Sequence, residues 1–171
     1  MKEHYLGFFL LVLFGLSGCG YHSLNTSSSK KISAGKTISI PLFANKTYKS
    51  NLESVFANAI IEEFAKRRGL QITDAAAAEM TLSGEVFSYI STASSYSRSD
   101  TVMQYSSSMK LNATLRRNSN QQVLWKGDLS WDQTYPANVN IGLQQNAEDS
   151  AIQEICRRIA QQLYLKIVQD F

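Results

Sequence analysis

The sequence predicts an α+β two-layer sandwich, with two α-helices on one face of a mainly antiparallel sheet of four or five strands. Three observations carry that reading. Met103, Tyr105, Met109, Leu111, Ala113 and Leu115 fall at odd positions against Gln104, Ser106, Ser108, Lys110, Asn112, Thr114 and Arg116 at even ones. A period of two over that length excludes a helix and marks a strand with one buried and one wet face. Leu52, Val55, Phe56, Ala59, Ile60 and Phe64 form one helical stripe. Ile152, Ile155, Cys156, Ile159, Ala160, Leu163, Ile167 and Val168 form a second. Two helices laid on one sheet face bury all three surfaces and leave the opposite sheet face partly open.

In chain order, Thr37-Ile38-Ser39-Ile40-Pro41-Leu42-Phe43 alternates like a strand. Pro41 cannot donate to a ladder, so it belongs at an edge, a bulge or the strand end. Ser50 and Glu53 stand in capping-box spacing ahead of the first helix. Lys66, Arg67 and Arg68 fall in its last turn, where cations favour the negative dipole end, and Gly69 is placed as the C′ residue. Leu70 to Thr73 reads as a short strand and Asp74 to Ala78 as a connector. Met80, Leu82, Val86 and Ile90 alternate with Thr81, Ser83, Glu85 and Tyr89 in a strand, with Gly84 as a bulge or crossing point.

From Ser91 to Asp100 the chain is Ser, Thr and Tyr around Arg98, a loop or a frayed hairpin end. Asn118-Ser119-Asn120 turns the chain after the strongest strand. Val123, Trp125, Leu129 and Trp131 then alternate in a partner strand. Tyr135 to Gln144 is a polar connector, and Asn146 is the expected N-cap of the last helix, with Glu148 and Asp149 in its first turn. Cys156 lies inside the apolar stripe and reads as a buried, inert thiol.

The N-terminus has its own logic. Lys2 supplies a positive charge, offset by Glu3, and Tyr5 to Phe14 an apolar run ending in Leu16-Ser17-Gly18-Cys19. Leu-Ser-Gly-Cys resembles the lipobox of bacterial lipoproteins, cleaved before a lipid-bearing cysteine. The run is too short for the roughly 20 residues of a bilayer crossing, and no A-x-A-like secretory site closes it. The expected organisation is a signal peptide at 1–18, a lipidated flexible tether at 19–36, and one α+β domain at 37–171. Thr26-Ser27-Ser28-Ser29-Lys30-Lys31 within the tether offers little apolar surface to bury.

Composition narrows the function classes. Net charge is +3, and losing Lys2 and Glu3 together leaves it there. That is compatible with an anionic ligand or membrane surface, whereas a dense Lys/Arg stripe for nucleic acid is missing. With Cys19 acylated, Cys156 has no disulfide partner. Beyond the signal the chain carries one histidine, His22, beside the anchor, so Ser-His and Cys-His catalysis lack a base and zinc sites lack ligands. No Gly-rich phosphate cradle is present. Glu62-Glu63 and Glu148-Asp149 read as solvated helix surface, because adjacent helix residues do not face each other. The reading is a non-enzyme without cofactor or metal. Lys110, Arg116 and Lys126 on the wet strand faces, beside Ser106, Ser108 and Thr114, suit phosphate or sugar. Ordinary solvated positions would look the same.

The sequence also resembles the lipopolysaccharide-assembly lipoprotein family LptE. The resemblance rests on Cys19-Gly20-Tyr21-His22, on Ile38-Ser39-Ile40-Pro41-Leu42-Phe43-Ala44-Asn45-Lys46-Thr47 leading into Leu52-Glu53, on Tyr105 and Asn112-Ala113-Thr114, and on the helix from Asn146 to Val168. It implies the same α+β fold and an acylated outer-membrane lipoprotein. Such a protein plugs and helps assemble the β-barrel LptD and assists lipopolysaccharide transfer to the outer leaflet. Gly20 after the cysteine agrees with outward sorting. The resemblance further implies that basic residues near one end of the sheet touch lipopolysaccharide, and Arg98 and Lys126 are the positions it points to. The competing readings are a free-standing envelope lipoprotein binding peptidoglycan or a secretion complex, and an envelope hydrolase using carboxylates.

Overall fold

The computed structural model describes residues 36–67 and 69–169. The Leu16–Cys19 motif, the tether up to residue 35, and Arg68 lie outside the described residues. Within them the order is β1 (Lys36–Ser39), β2 (Ala44–Asn45), α1 (Leu52–Lys66), β3 (Leu70–Ile72), β4 (Met80–Tyr96), β5 (Val102–Arg117), β6 (Val123–Pro136) and α2 (Ile141–Gln169). The fold is α+β, with two helices as expected. The sheet is mixed rather than mainly antiparallel and four-stranded. Its order is β3-β1-β4-β5-β6, with β2 also on β4, and the pairs β1–β3, β1–β4 and β2–β4 are parallel. The reason is the helix between β1 and β3. A crossover that long returns the chain in the same direction, as parallel pairing requires.

The first strand ends at Ser39, and Pro41 stands in the break before β2. Phe43 still points inward, buried at 2% exposure, and meets Phe56 of α1 edge-on at 5.1 Å between ring centroids. That ring also decides Gly84. A Cβ there would lie 2.4 Å from the Phe43 ring and 2.1 Å from the Asn112 carbonyl oxygen, so the glycine serves close approach. The bulge lies three residues further, between Val86 and Ser88. It reverses the phase of β4. Met80, Leu82 and Val86 face the core, but beyond Phe87 Tyr89 is buried and Ile90 is 54% exposed, opposite to the expected alternation.

Asn45 organises the turn into α1. Its side-chain carbonyl accepts from the Thr47 N–H at 3.0 Å and hydroxyl at 2.8 Å, while its amide donates to the Lys49 carbonyl and to Glu53 Oε2, both at 2.9 Å. Glu53 is therefore engaged by Asn45 and does not complete a capping box. The helix starts from Asn51, whose φ is 66°, without a side-chain cap. At the other end Arg67 is extended. Gly69 answers a spatial demand rather than a left-handed cap, because a Cβ there would meet the Tyr164 hydroxyl at 2.6 Å.

β4 continues to Tyr96 through the segment expected to be a loop or a frayed hairpin end, and its hairpin with β5 closes only at 97–101. β6 reaches Pro136, burying Tyr135, so the expected connector is mostly strand and helix. α2 starts five residues before Asn146. Asn140 Oδ1 accepts the Leu143 N–H at 3.1 Å, the bond of an N-cap to N3. Its inward stripe is as expected from Ile152 to Ile167, whereas Val168 is 37% exposed. In β6 a register shift opposite Leu115 and Arg116 leaves Val123 exposed. The two helices cover one sheet face, and one apolar cluster runs from Ile38 to Ile167 between the layers.

Candidate functional site

The uncovered sheet face is a polar surface. Three adjacent strands carry it. β4 contributes Thr81, Ser83, Glu85, Ser88, Ile90 and Thr92, and β5 the even positions from Gln104 to Arg116. β6 adds Lys126, Asp128, Ser130, Asp132 and Thr134, each matched across the ladder. Asn112 donates to Glu85 Oε1 at 3.1 Å across two of these strands. Lys110, Arg116 and Lys126 are exposed there. Lys126 pairs with Thr114, two positions from Arg116, which brings those two cations to neighbouring corners of one end of the face.

Arg98 stands elsewhere. It is exposed at the tip of the β4–β5 hairpin, in a turn where Ser97 Oγ accepts the Ser99 and Thr101 N–H groups and Asp100 adopts φ 56°. Lys126 faces Thr114, near the far end of β5. At about 3.3 Å per strand residue, the run of β5 from Thr114 back to Val102 separates the two cations by about 40 Å. The sheet therefore does not bring Arg98 and Lys126 to one ligand group. Cys19 lies outside the described residues.

Sequence reasoning missed a network on the covered face at the hairpin end. The Tyr89 hydroxyl lies 2.9 Å from Ser107 Oγ and donates to Glu148 Oε1 at 2.7 Å. Lys49 Nζ closes the network at 3.2 Å from the same carboxylate oxygen and 3.6 Å from Asp149. Burial and the adjoining Glu148 carboxylate push the Tyr89 hydroxyl's pKa up, against the opposing effect of its bond to Ser107. Beside it Ser91 Oγ and the Tyr135 hydroxyl are 2.7 Å apart, and Tyr135 stacks on Tyr105 at 5.7 Å. The signal available in the sequence was the odd-numbered hydroxyls: Ser107 follows the inward phase of β5, and Ser91 joins the inward phase of β4 once a bulge is placed at Phe87. Glu148 is thus tied into the sheet and is not a merely solvated residue. Glu63 departs from expectation in the same way. It is 6% exposed and paired to Arg67 Nε at 2.6 Å, while Arg67 lies over the Tyr164 ring at 4.9 Å.

Between the helices runs a cleft of about 460 Å³ lined by Asn58, Glu62, Gln153, Glu154 and Arg157 among others. Hydrogen bonds from Arg157 and Arg158 hold the Glu154 carboxyl down at about 2, so it is a fixed anion paired with cations rather than an acid near neutrality. Cys156 is fully buried, and burial pushes its thiol up to about 12, which keeps it unreactive. No group of three His, Cys, Asp or Glu side chains that could hold a metal ion gathers among the described residues.

These features define a sheet-and-two-helix body with one covered and one open polar face. The LptE family, described as lipopolysaccharide-assembly, matches residues 35–167. The chain belongs to the LptE family, as its sequence resemblance implied. Solved structures share the fold at low identity. Rare lipoprotein B from Shewanella oneidensis superposes with TM-score 0.56 at 12% identity, covering 78% of this chain and 95% of that one. Protein XCC0632 from Xanthomonas campestris gives TM-score 0.60 at 9% identity, covering 80% and 87%. A minor lipoprotein from Acinetobacter baumannii gives 0.51 at 12%, covering 79% and 92%. No curated protein matches the chain in sequence.

Proposed function

We propose that this chain is a non-catalytic outer-membrane lipoprotein that plugs and helps assemble an LptD-type β-barrel and assists lipopolysaccharide transfer to the outer leaflet. The observation that carries the reading is membership of the lipopolysaccharide-assembly family over nearly the whole described region. The open sheet face supports it physically. A barrel lumen is polar, and the face is a field of Ser, Thr, Asn and Gln with scattered charges. A domain held inside a barrel needs no large apolar docking patch on that side.

The signal peptide at 1–18 is removed, and Cys19 carries the acyl chains, palmitate included, that anchor the tether. One chain alone binds membranes only marginally, so stable anchoring requires more than one. Arg98 and Lys126 act as two separate lipopolysaccharide contacts, each facing phosphate. Purification of the acylated protein from native membranes tests the reading, with a large outer-membrane barrel expected to accompany it. A chain recovered alone, and cut by added protease as readily in membranes as in solution, would instead favour a free-standing envelope lipoprotein.

A further inference from the structure

Among the described residues the longer stretches of unpaired sheet edge are on β3, on β6 and on β4 beyond β2, and the first two are guarded in the usual ways. β3 is only three residues long. β6 carries Lys126, Asp128 and Asp132 and closes with Pro136. Short length, charge and proline are the devices that stop a free strand from pairing with another chain. The third edge has none of them. β1 covers β4 only at Met80 and Thr81, and β2 only at Glu85 and Val86. The last backbone bond on that side is Lys46 N–H to the Val86 carbonyl. From Ser88 to Ala93, among the described residues, β4 is paired on its β5 side alone, in regular register from Lys110 to Tyr105.

That stretch reads Ser-Tyr-Ile-Ser-Thr-Ala, without charge, proline or glycine. Irregularities bound it at both ends, the bulge after Val86 and a register shift after Ala93. The slot is therefore about 20 Å long, room for a strand of about six residues. On the open face Ile90 is 54% exposed and Thr92 is exposed beside it. On the covered side the Tyr48 ring, 73% exposed, lies 5.9 Å from Tyr89.

We infer that the β4 edge at Ser88–Ala93 receives an extended, uncharged segment of the partner barrel polypeptide as an added strand. Backbone groups supply the attraction, and the side chains on either side select. β-branched or aromatic residues suit the positions beside Ile90 and Thr92. A charged residue would find no partner on β4 there. This inference rests on the plug reading for the identity of the partner.

Amide hydrogen exchange on the full acylated chain, alone and in its co-purified barrel complex, tests it. Outward amides within 88–93 are expected to exchange rapidly in the chain alone and at least tenfold more slowly in the complex. Thr92→Lys should lower barrel recovery at least fivefold. Ala65→Lys, at an exposed position on α1 in the other layer, should leave recovery unchanged and so separates an edge effect from a general effect of added charge. The inference is overturned if these amides are already protected in the isolated chain, or if they exchange equally fast in the complex. It is also overturned if the Ala65 variant is as damaging as the Thr92 variant. Recovery of the barrel with an unprotected edge removes the strand and leaves the plug standing, whereas absence of any barrel removes both.

Discussion

Tyr89 and Ile90 sit side by side and answer to opposite environments. The Tyr89 hydroxyl joins fully buried Ser107 to Glu148, so removing it strands a buried polar group, whereas the Ile90 side chain projects from the open face. Tyr89→Phe should lower stability by about 1–3 kcal/mol, and Ile90→Ser should stay within about 0.5 kcal/mol. Urea unfolding midpoints at unchanged m-value read both. An equal loss for the two variants would mean that the bulge at Phe87 does not reverse the strand. Asn45 illustrates the same point in a loop. One short side chain accepts two hydrogen bonds and donates two, and so sets the path from β2 into α1.

At the scale of elements, α2 shows how a start position follows from geometry that composition does not display. Both Asn140 and Asn146 are plausible caps by residue type, but only Asn140 holds the N3 amide. Asn146 is exposed within the helix, and its carbonyl receives the Ser150 hydroxyl at 2.8 Å. Asn140→Ala should therefore cost about 1 kcal/mol, and Asn146→Ala nothing measurable. The middle of α2 carries a pH signature. Arg157 and Arg158 depress the Glu154 carboxyl from 4.5 to about 2. A lowered folded-state value stabilises above about 4.5 and is lost as pH falls toward 2. The group is partly exposed, so its worth is below about 1 kcal/mol. The stability gap between the natural chain and Glu154→Gln should close between pH 5 and 2.

For the whole molecule the decisive geometry is length. β4, β5 and β6 run past one another for most of their extent, which sends Arg98 to one end of the sheet and keeps Lys126 near the other. Cations about 40 Å apart share no ligand group, and distant sites combine additively. In lipopolysaccharide binding, Arg98→Ala and Lys126→Ala should combine to within about 0.5 kcal/mol of the sum of their separate effects. A strongly non-additive pair would require one composite site. The same layout brings both helix C-termini, the β5–β6 turn and the entry of the chain at Lys36 to the end opposite the hairpin tip.

The order of the helices and longer strands, the faces of both helices, the β5–β6 pairing and the family were legible in the sequence, because each is written in local periodicity or in contiguous motifs; the split of the first strand into β1 and β2 was not. The parallel strands, the β4 bulge, the early start of α2, the burial of Glu63 and the Tyr89–Ser107–Glu148 network were decided by tertiary structure. Those features depend on which strand lies next to which, on one extra residue at Phe87, and on partners up to 59 positions apart in the chain. Local pattern states that a residue has an inward face. Only the packed sheet determines what meets it there, and where the backbone edge runs out of partners.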